Sequence, residues 1–283
     1  MIPLLAAESG GGFELPPIDH LFVFPAWFDD GLFGEGSILA FNRTSFLYLL
    51  AALITIGLVV AAFGNPKVVP GKLQAGMEAG VDFVKNSIIG AIIGPEGYRY
   101  LPLLFSLFIF IFVNNLFEVL PFINFPPTSR MALPAVLSLM IYFLFIFVGI
   151  KAQGPKYFWN AVSVPGVPKA MLLLIVPIEF VSTFLLRPFT LAVRLFANMM
   201  AGHILLTVVF LASNYSLVDF HSLYEGGVPE IAAHGWIQFA LGIPIFVGAI
   251  ALVGFEILVG SLQAYIFTML AAVYISGSLS PDH

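Results

Sequence analysis

Two stretches of this chain, 170–211 and 236–276, are each about 40 residues of largely apolar sequence. As helices they would measure roughly 60 Å, twice the roughly 30 Å of a bilayer's hydrocarbon core. Each therefore crosses twice through a tight turn, or crosses once at a steep tilt. Three shorter apolar runs, 46–63, 101–120 and 131–150, have the length of ordinary spans. Composition supports a membrane solvent: 60% of residues are hydrophobic and 10% charged, where soluble domains run near 25% charged. The expected fold is an all-α polytopic membrane protein.

Loop charges choose between one crossing and two. The 64–100 loop holds Lys67, Lys72, Lys85 and Arg99, and the 151–169 loop holds Lys151, Lys156 and Lys169. The 213–235 loop has Asp219, Glu225 and Glu230 and no Lys or Arg. The N-terminal segment 1–44 carries Glu8, Glu14, Asp19, Asp29, Asp30 and Glu35 against the single Arg43. Basic loops stay inside. The N-terminus then lies outside, and the acidic 213–235 loop reaches the outside only if each long run crosses once. The expectation is five crossings with the C-terminus inside, two of them long tilted helices that wrap a partner rather than stand in an upright bundle.

Smaller features complete the outline. Segment 1–44 is Gly/Pro-rich and reads as a loosely ordered outer segment, with Trp27 an interfacial anchor; residues 45–283 form the membrane domain. Met1–Gly12 lacks the positive n-region of a signal peptide and reads as mature chain. Over about 70–90, Leu73, Met77, Val81 and Val84 recur at helical spacing opposite Gln74, Glu78 and Asp82, predicting an amphipathic surface helix. There is no cysteine, which excludes disulfides and thiolate metal sites. No metal-ligand cluster, nucleotide loop or nucleophile–base set is present, so no metal, cofactor or nucleic acid is expected, and no active site of the chain's own.

The polar residues inside the apolar runs carry what chemistry there is. Arg194 sits well inside the first long run. A guanidinium keeps its proton at any useful pH, and a charge at that depth costs at least about 2.5–3.5 kcal/mol without a partner or a wet cavity. Seven residues turn an α-helix through roughly 700°. Arg187 and Arg194 thus share a face, Asn198 lies near them, and His203 points to the opposite side. On the second run Glu256 and Gln263 share a stripe to which Tyr274 returns. Taken singly, Asn198 and Gln263 also fit interhelical glue, Tyr274 an interfacial belt residue and His203 a satisfied core histidine. Glu256 demands a partner or its proton, and His203 is the natural one for a proton relay. Glu118 follows Asn114 and Asn115 near the outer end of the second span, and Glu179 lies within reach of Arg187 or Lys169.

These segments resemble a known family. Thr190-Leu-Ala-Val-Arg194-Leu-Phe-Ala-Asn198-Met-Met-Ala-Gly202 is similar to the signature of subunit a of F-type ATP synthases. Leu262-Gln263 through Tyr274-Ile275 resembles that family's last helix, Pro70-Gly-Lys72-Leu-Gln74 its inner surface helix, and Asn115-Leu-Phe-Glu118-Val-Leu-Pro121 its outer-channel motif. The resemblance implies a stator subunit of an energy-transducing membrane, working with a rotating c-ring, a b subunit or peripheral stalk and the whole F1F0 complex; the expected location is a bacterial plasma membrane. It implies that Arg194 faces the ring, with Asn198 and Gln263 in the polar zone beside it. His203, Glu256 and Glu118 would line an outer half-channel, with Tyr274 towards the inner end. In the familiar enterobacterial pattern glutamate and histidine stand the other way round at positions 203 and 256, an exchange shared with mitochondrial relatives. Glu118 stands for an aspartate. The competing reading is a self-contained secondary transporter, which predicts inverted repeats and broken helices at the midplane; no repeat between the halves is visible.

Overall fold

The computed structural model describes Phe22 and residues 42–121, 123–162, 169–219, 230–231 and 236–279. Most of the segment 1–44, including the Trp27 anchor, and the greater part of the 213–235 loop lie outside the described residues. Five described helices are long and apolar enough to cross a membrane.

α1 (Arg43–Phe63) starts on Asn42, whose Oδ1 accepts the Ser45 N–H at 3.0 Å, the usual way an Asx side chain satisfies an orphan donor. α2 (Lys72–Phe83) continues through a π-helical stretch, Val84–Ile89, to Ile92. It packs on Met77, Val84, Ile88 and Ile89. The amphipathic assignment needs one correction: Gln74 is buried, whereas Leu73 is exposed. Gln74 Nε2 donates to the Lys67 carbonyl at 3.2 Å and to Glu78 Oε1 at 2.8 Å. The loop before α2 thus folds back and covers a polar side chain that periodicity alone assigns to water.

α3 (Leu101–Leu116) and α4 (Ala132–Gln153) are the next two spans. α3 ends earlier than the apolar run, so Glu118 falls in the turn after the helix. The first long run is α5 (Lys169–Phe180), a π-helical stretch Val181–Leu186, then α6 (Arg187–Leu217). The second is α7 (Trp236–Leu279), unbroken through Pro244. Single long helices, rather than two short spans each, are the outcome, and helices of this length fit a bilayer only at a tilt. Val218 pairs with Ile231 and Asp219 with Glu230, an antiparallel two-residue ladder that ties the ends of this hairpin.

α6 and α7 run antiparallel against one another: Gly242 meets Leu217, Glu256 meets Gly202 and Tyr274 meets Arg187. Small residues allow the approach, since Ala264, Ala271 and Ala272 on α7 are fully buried. Leu104 and Ile111 from α3, Ile141 from α4, Leu191, Leu195 and Met199 from α6, and Phe267 and Ile275 from α7 fill the shared core. Large apolar side chains such as Leu53, Val136, Phe143, Phe147 and Leu174 point outward instead. That inversion suits lipid, where apolar surface carries no penalty.

Candidate functional site

Arg194 lies on a stripe of α6 where Thr190, Ala197, Ala201 and Leu205 are also exposed. Its neighbours on the stripe are mostly small, so another helix can come close to the guanidinium. Among the described residues Arg194 has no ion-pair partner. Asn198, one turn further on, is half-buried. On the other side of α6, Leu191, Leu195, Met199, Gly202 and His203 are buried against the rest of the chain. The helix therefore presents a fixed cation outward while its titratable histidine points into the protein.

Across the seam, α7 turns Glu256 and Gln263 inward, each 5% exposed. Glu256 lies against the backbone of Gly202: a Cβ built there would sit 2.6 Å from Oε2 and 2.8 Å from Cδ. Only glycine leaves the carboxyl that seat. Substituting Gly202→Ala is expected to move the flexible carboxylate rather than unfold the helices. If Glu256 lines a proton path, as the family resemblance implies, coupled ATP synthesis should then fall about tenfold or more, since misplacing a reacting group by an ångström is that costly, while the amount of chain in the membrane stays near wild type. Unchanged synthesis would mean that the seat does not matter.

The third wall comes from the end of α3. Asn115 Nδ2 donates to the Gly260 carbonyl at 3.0 Å, and its Oδ1 accepts from Thr128 Oγ1 at 2.9 Å. Asn115, Phe112, Leu116, Glu256, Gly260 and Ser261 border a cavity of about 10 Å³, room for one water. Glu118 is 1% exposed, in the turn beyond α3. Burial, and secondarily the Glu256 carboxyl, push it up to about 8. It is therefore mostly protonated at neutral pH, and the cost of charging it appears as pH rises towards 8. Asn114 Oδ1, Glu118 Oε1, Glu256 Oε2 and Gln263 Nε2 are buried with no hydrogen-bond partner among the described residues. Groups of this kind ask for water or an exchangeable proton.

The structure thus gathers Glu118, Glu256 and the Gly202–His203 step of α6 into one region. It does not join Glu256 to His203 by a hydrogen bond: the carboxyl stops at Gly202, and the imidazole meets the rings of Phe22 and Phe125 instead. Tyr274 lies elsewhere, towards the far end of the seam, with the Arg187 guanidinium 5.5 Å from its ring centroid, a cation–π arrangement. Glu179 is half-buried on α5 and makes no ion pair with Arg187 among the described residues. Gly202, Thr128, Phe125 and Phe22 escaped the sequence reading. Of these only Gly202 carried a signal, a small residue next to a titratable one at a helix seam.

The chain's relatives agree with one another. Residues 45–276 match the family described as ATP synthase A chain. The ATP synthase subunit a of Rhodococcus erythropolis is 38% identical over 283 residues, covering 99% of this chain and 94% of that protein. Those of Frankia alni and Streptomyces lividans are each 39% identical, covering 99% and 97% of this chain and 90% and 91% of theirs. A match over this much of the chain makes it a member of the ATP synthase A chain family.

Proposed function

We propose that this chain is the membrane stator of an ATP synthase, against which a ring of small acid-bearing subunits turns, and that protons cross in two offset half-channels. The observation that carries the reading is Arg194: an exposed, unneutralisable cation on a lipid-depth helix face of small residues. Such a face is costly in lipid alone and suits a partner whose carboxylates ionise as they pass. A ring carboxylate faces lipid only when neutral. Beside Arg194 its pKa falls, so it gives up its proton to the inner half-channel. Past the arginine it is reprotonated through Glu118, Glu256 and His203, with Asn198 and Gln263 supplying polar contact between. A fixed cation between the two openings also repels a proton that would leak straight through. Each elementary charge crossing gains roughly 2.3 kcal/mol per 100 mV, too little for one ATP, so rotation must sum several.

Tyr274 and Arg187 lie on the inner side in this reading, with the N-terminus outside and the C-terminus in the cytoplasm of a bacterial cell. A self-contained transporter fits less well, because α6 runs as unbroken helix past Arg194 and α7 past Gln263, whereas transporter sites are built on unwound halves. Extracted in mild detergent through an affinity tag, the chain is expected to bring with it a ring of small two-helix subunits and a stalk subunit. Recovery of the chain alone, from membranes that hold the ring, would sink the reading.

A further inference from the structure

We propose that Phe125 and Phe22 form an aromatic collar that fixes the His203 imidazole and shields it from the outer aqueous phase. Phe125 would then be a positioning residue of the outer proton path. The functional meaning rests on the role proposed above for His203; the shielding itself does not.

His203 is 6% exposed. The Phe125 ring meets it at 5.6 Å between centroids and 88°, and the Phe22 ring at 5.5 Å and 71°. Phe22 and Phe125 also touch each other, at 6.5 Å and 58°. Edge-to-face contacts of this kind prefer a defined angle, so two of them hold the imidazole's rotation. Neither phenyl ring gives or takes a proton. On those sides His203 exchanges none, and its exchange is directed elsewhere.

The turn that carries Phe125 is unusually well anchored. The Leu120 carbonyl accepts from the N–H of Ile123 at 3.0 Å and of Asn124 at 2.8 Å. Asn124 has φ of 40°, a left-handed conformation that asparagine tolerates better than most residues. Pro126 and Pro127 follow. Arg43 Nη2 donates to the Ile123 carbonyl, and its Cζ lies 6.0 Å from the Phe125 ring centroid. Tyr48 Oη donates to the Pro127 carbonyl at 3.3 Å, and Ser129 Oγ to that of Pro126 at 2.7 Å. Arg130 Nε donates to the Phe22 carbonyl at 2.8 Å, so Phe22 is tied to the same turn. Backbone at the membrane boundary needs its carbonyls satisfied, and charged donors do so strongly. Ordinary core packing explains Phe125 at 1% exposure. It does not explain why a second aromatic ring from a segment about a hundred residues away is brought to the same imidazole by an arginine.

The test is carried out on membranes containing the full assembly. Diethyl pyrocarbonate modifies neutral imidazoles, and peptide mass spectrometry reads the rate at His203 against the chain's other histidines. Phe125→Ala is expected to raise the His203 rate about tenfold, in line with local opening of a protected site, and Phe125→Leu, which keeps apolar bulk, to leave it near wild type. Should Phe125→Ala fail to accumulate, Phe22→Ala decides, because it leaves the helical core intact; a rise of about threefold is expected. An unchanged His203 rate in whichever alanine variant accumulates overturns the collar. So does a rise that Phe125→Leu shares in full, or one that all histidines share. A chain that still makes ATP with Arg194→Lys would overturn the stator reading and leave this result untouched.

Discussion

Replacing Arg194 by lysine is expected to abolish proton-driven ATP synthesis in membrane vesicles, a loss of at least about a hundredfold, the order seen when a preorganised charge-stabilising group is removed. Formal charge is conserved, so only the kind of cation changes. Guanidinium holds its proton at any relevant pH, whereas a lysine ammonium taken out of water gives its proton up. A neutral amine can no longer depress the pKa of a carboxylate facing it, nor repel a proton moving between the two half-channels proposed above. Geometry adds to this. Ala197 and Ala201 flank Arg194 on the exposed stripe, so a partner helix comes near enough for the flat, forked group to reach a carboxylate directly. The chain itself should insert and accumulate normally, because Arg194 is exposed and makes no ion pair among the described residues. ATP synthesis at the wild-type rate, driven by an imposed proton gradient in the lysine variant, refutes the role assigned to this residue.

Helices were readable where a period or a length constrained them. The 170–211 and 236–276 runs announce single long helices once the acidic 213–235 loop is required to lie outside, and the structure builds α5–α6 and α7 as such. Counting along an ideal helix separates Arg194 from His203, and one is exposed while the other is buried. Counting fails where a neighbour from outside the helix decides. Gln74 belongs by period to the wet face of α2, yet the loop at Lys67 folds over it. Glu256 and His203 lie at matching heights on two helices, but height does not say which way each side chain leans. One bends to Gly202, and the other is taken by Phe22 and Phe125. Residues 121–130 have no period at all. Their shape comes from Asn124, two prolines and side chains on α1 and α3, information spread over 80 residues of sequence and invisible to a local window.

Exchanging the two groups, His203→Glu together with Glu256→His, is expected to restore at least about tenfold of the synthesis lost in either single variant, each of which should fall about a hundredfold, as loss of a positioned acid or base does. Glu256→His alone leaves two imidazoles at the seam and no acid but Glu118. His203→Glu alone gathers three carboxyls, at positions 118, 203 and 256, and like charges that close force protons on and disable them. The double exchange returns one acid and one imidazole to the same pair of helices. Recovery should stop short of wild type for two reasons visible in the structure. A carboxyl at position 203 would lie among the Phe22 and Phe125 rings, where nothing hydrogen-bonds it. An imidazole at position 256 is bulkier than the carboxyl that now fills the Gly202 seat. Coupling of this size appears only when two side chains share a function or a contact. A double variant that loses about the product of the two single losses, with equal amounts of chain in the membrane, would make the two positions independent and reduce the contact at Gly202 to packing.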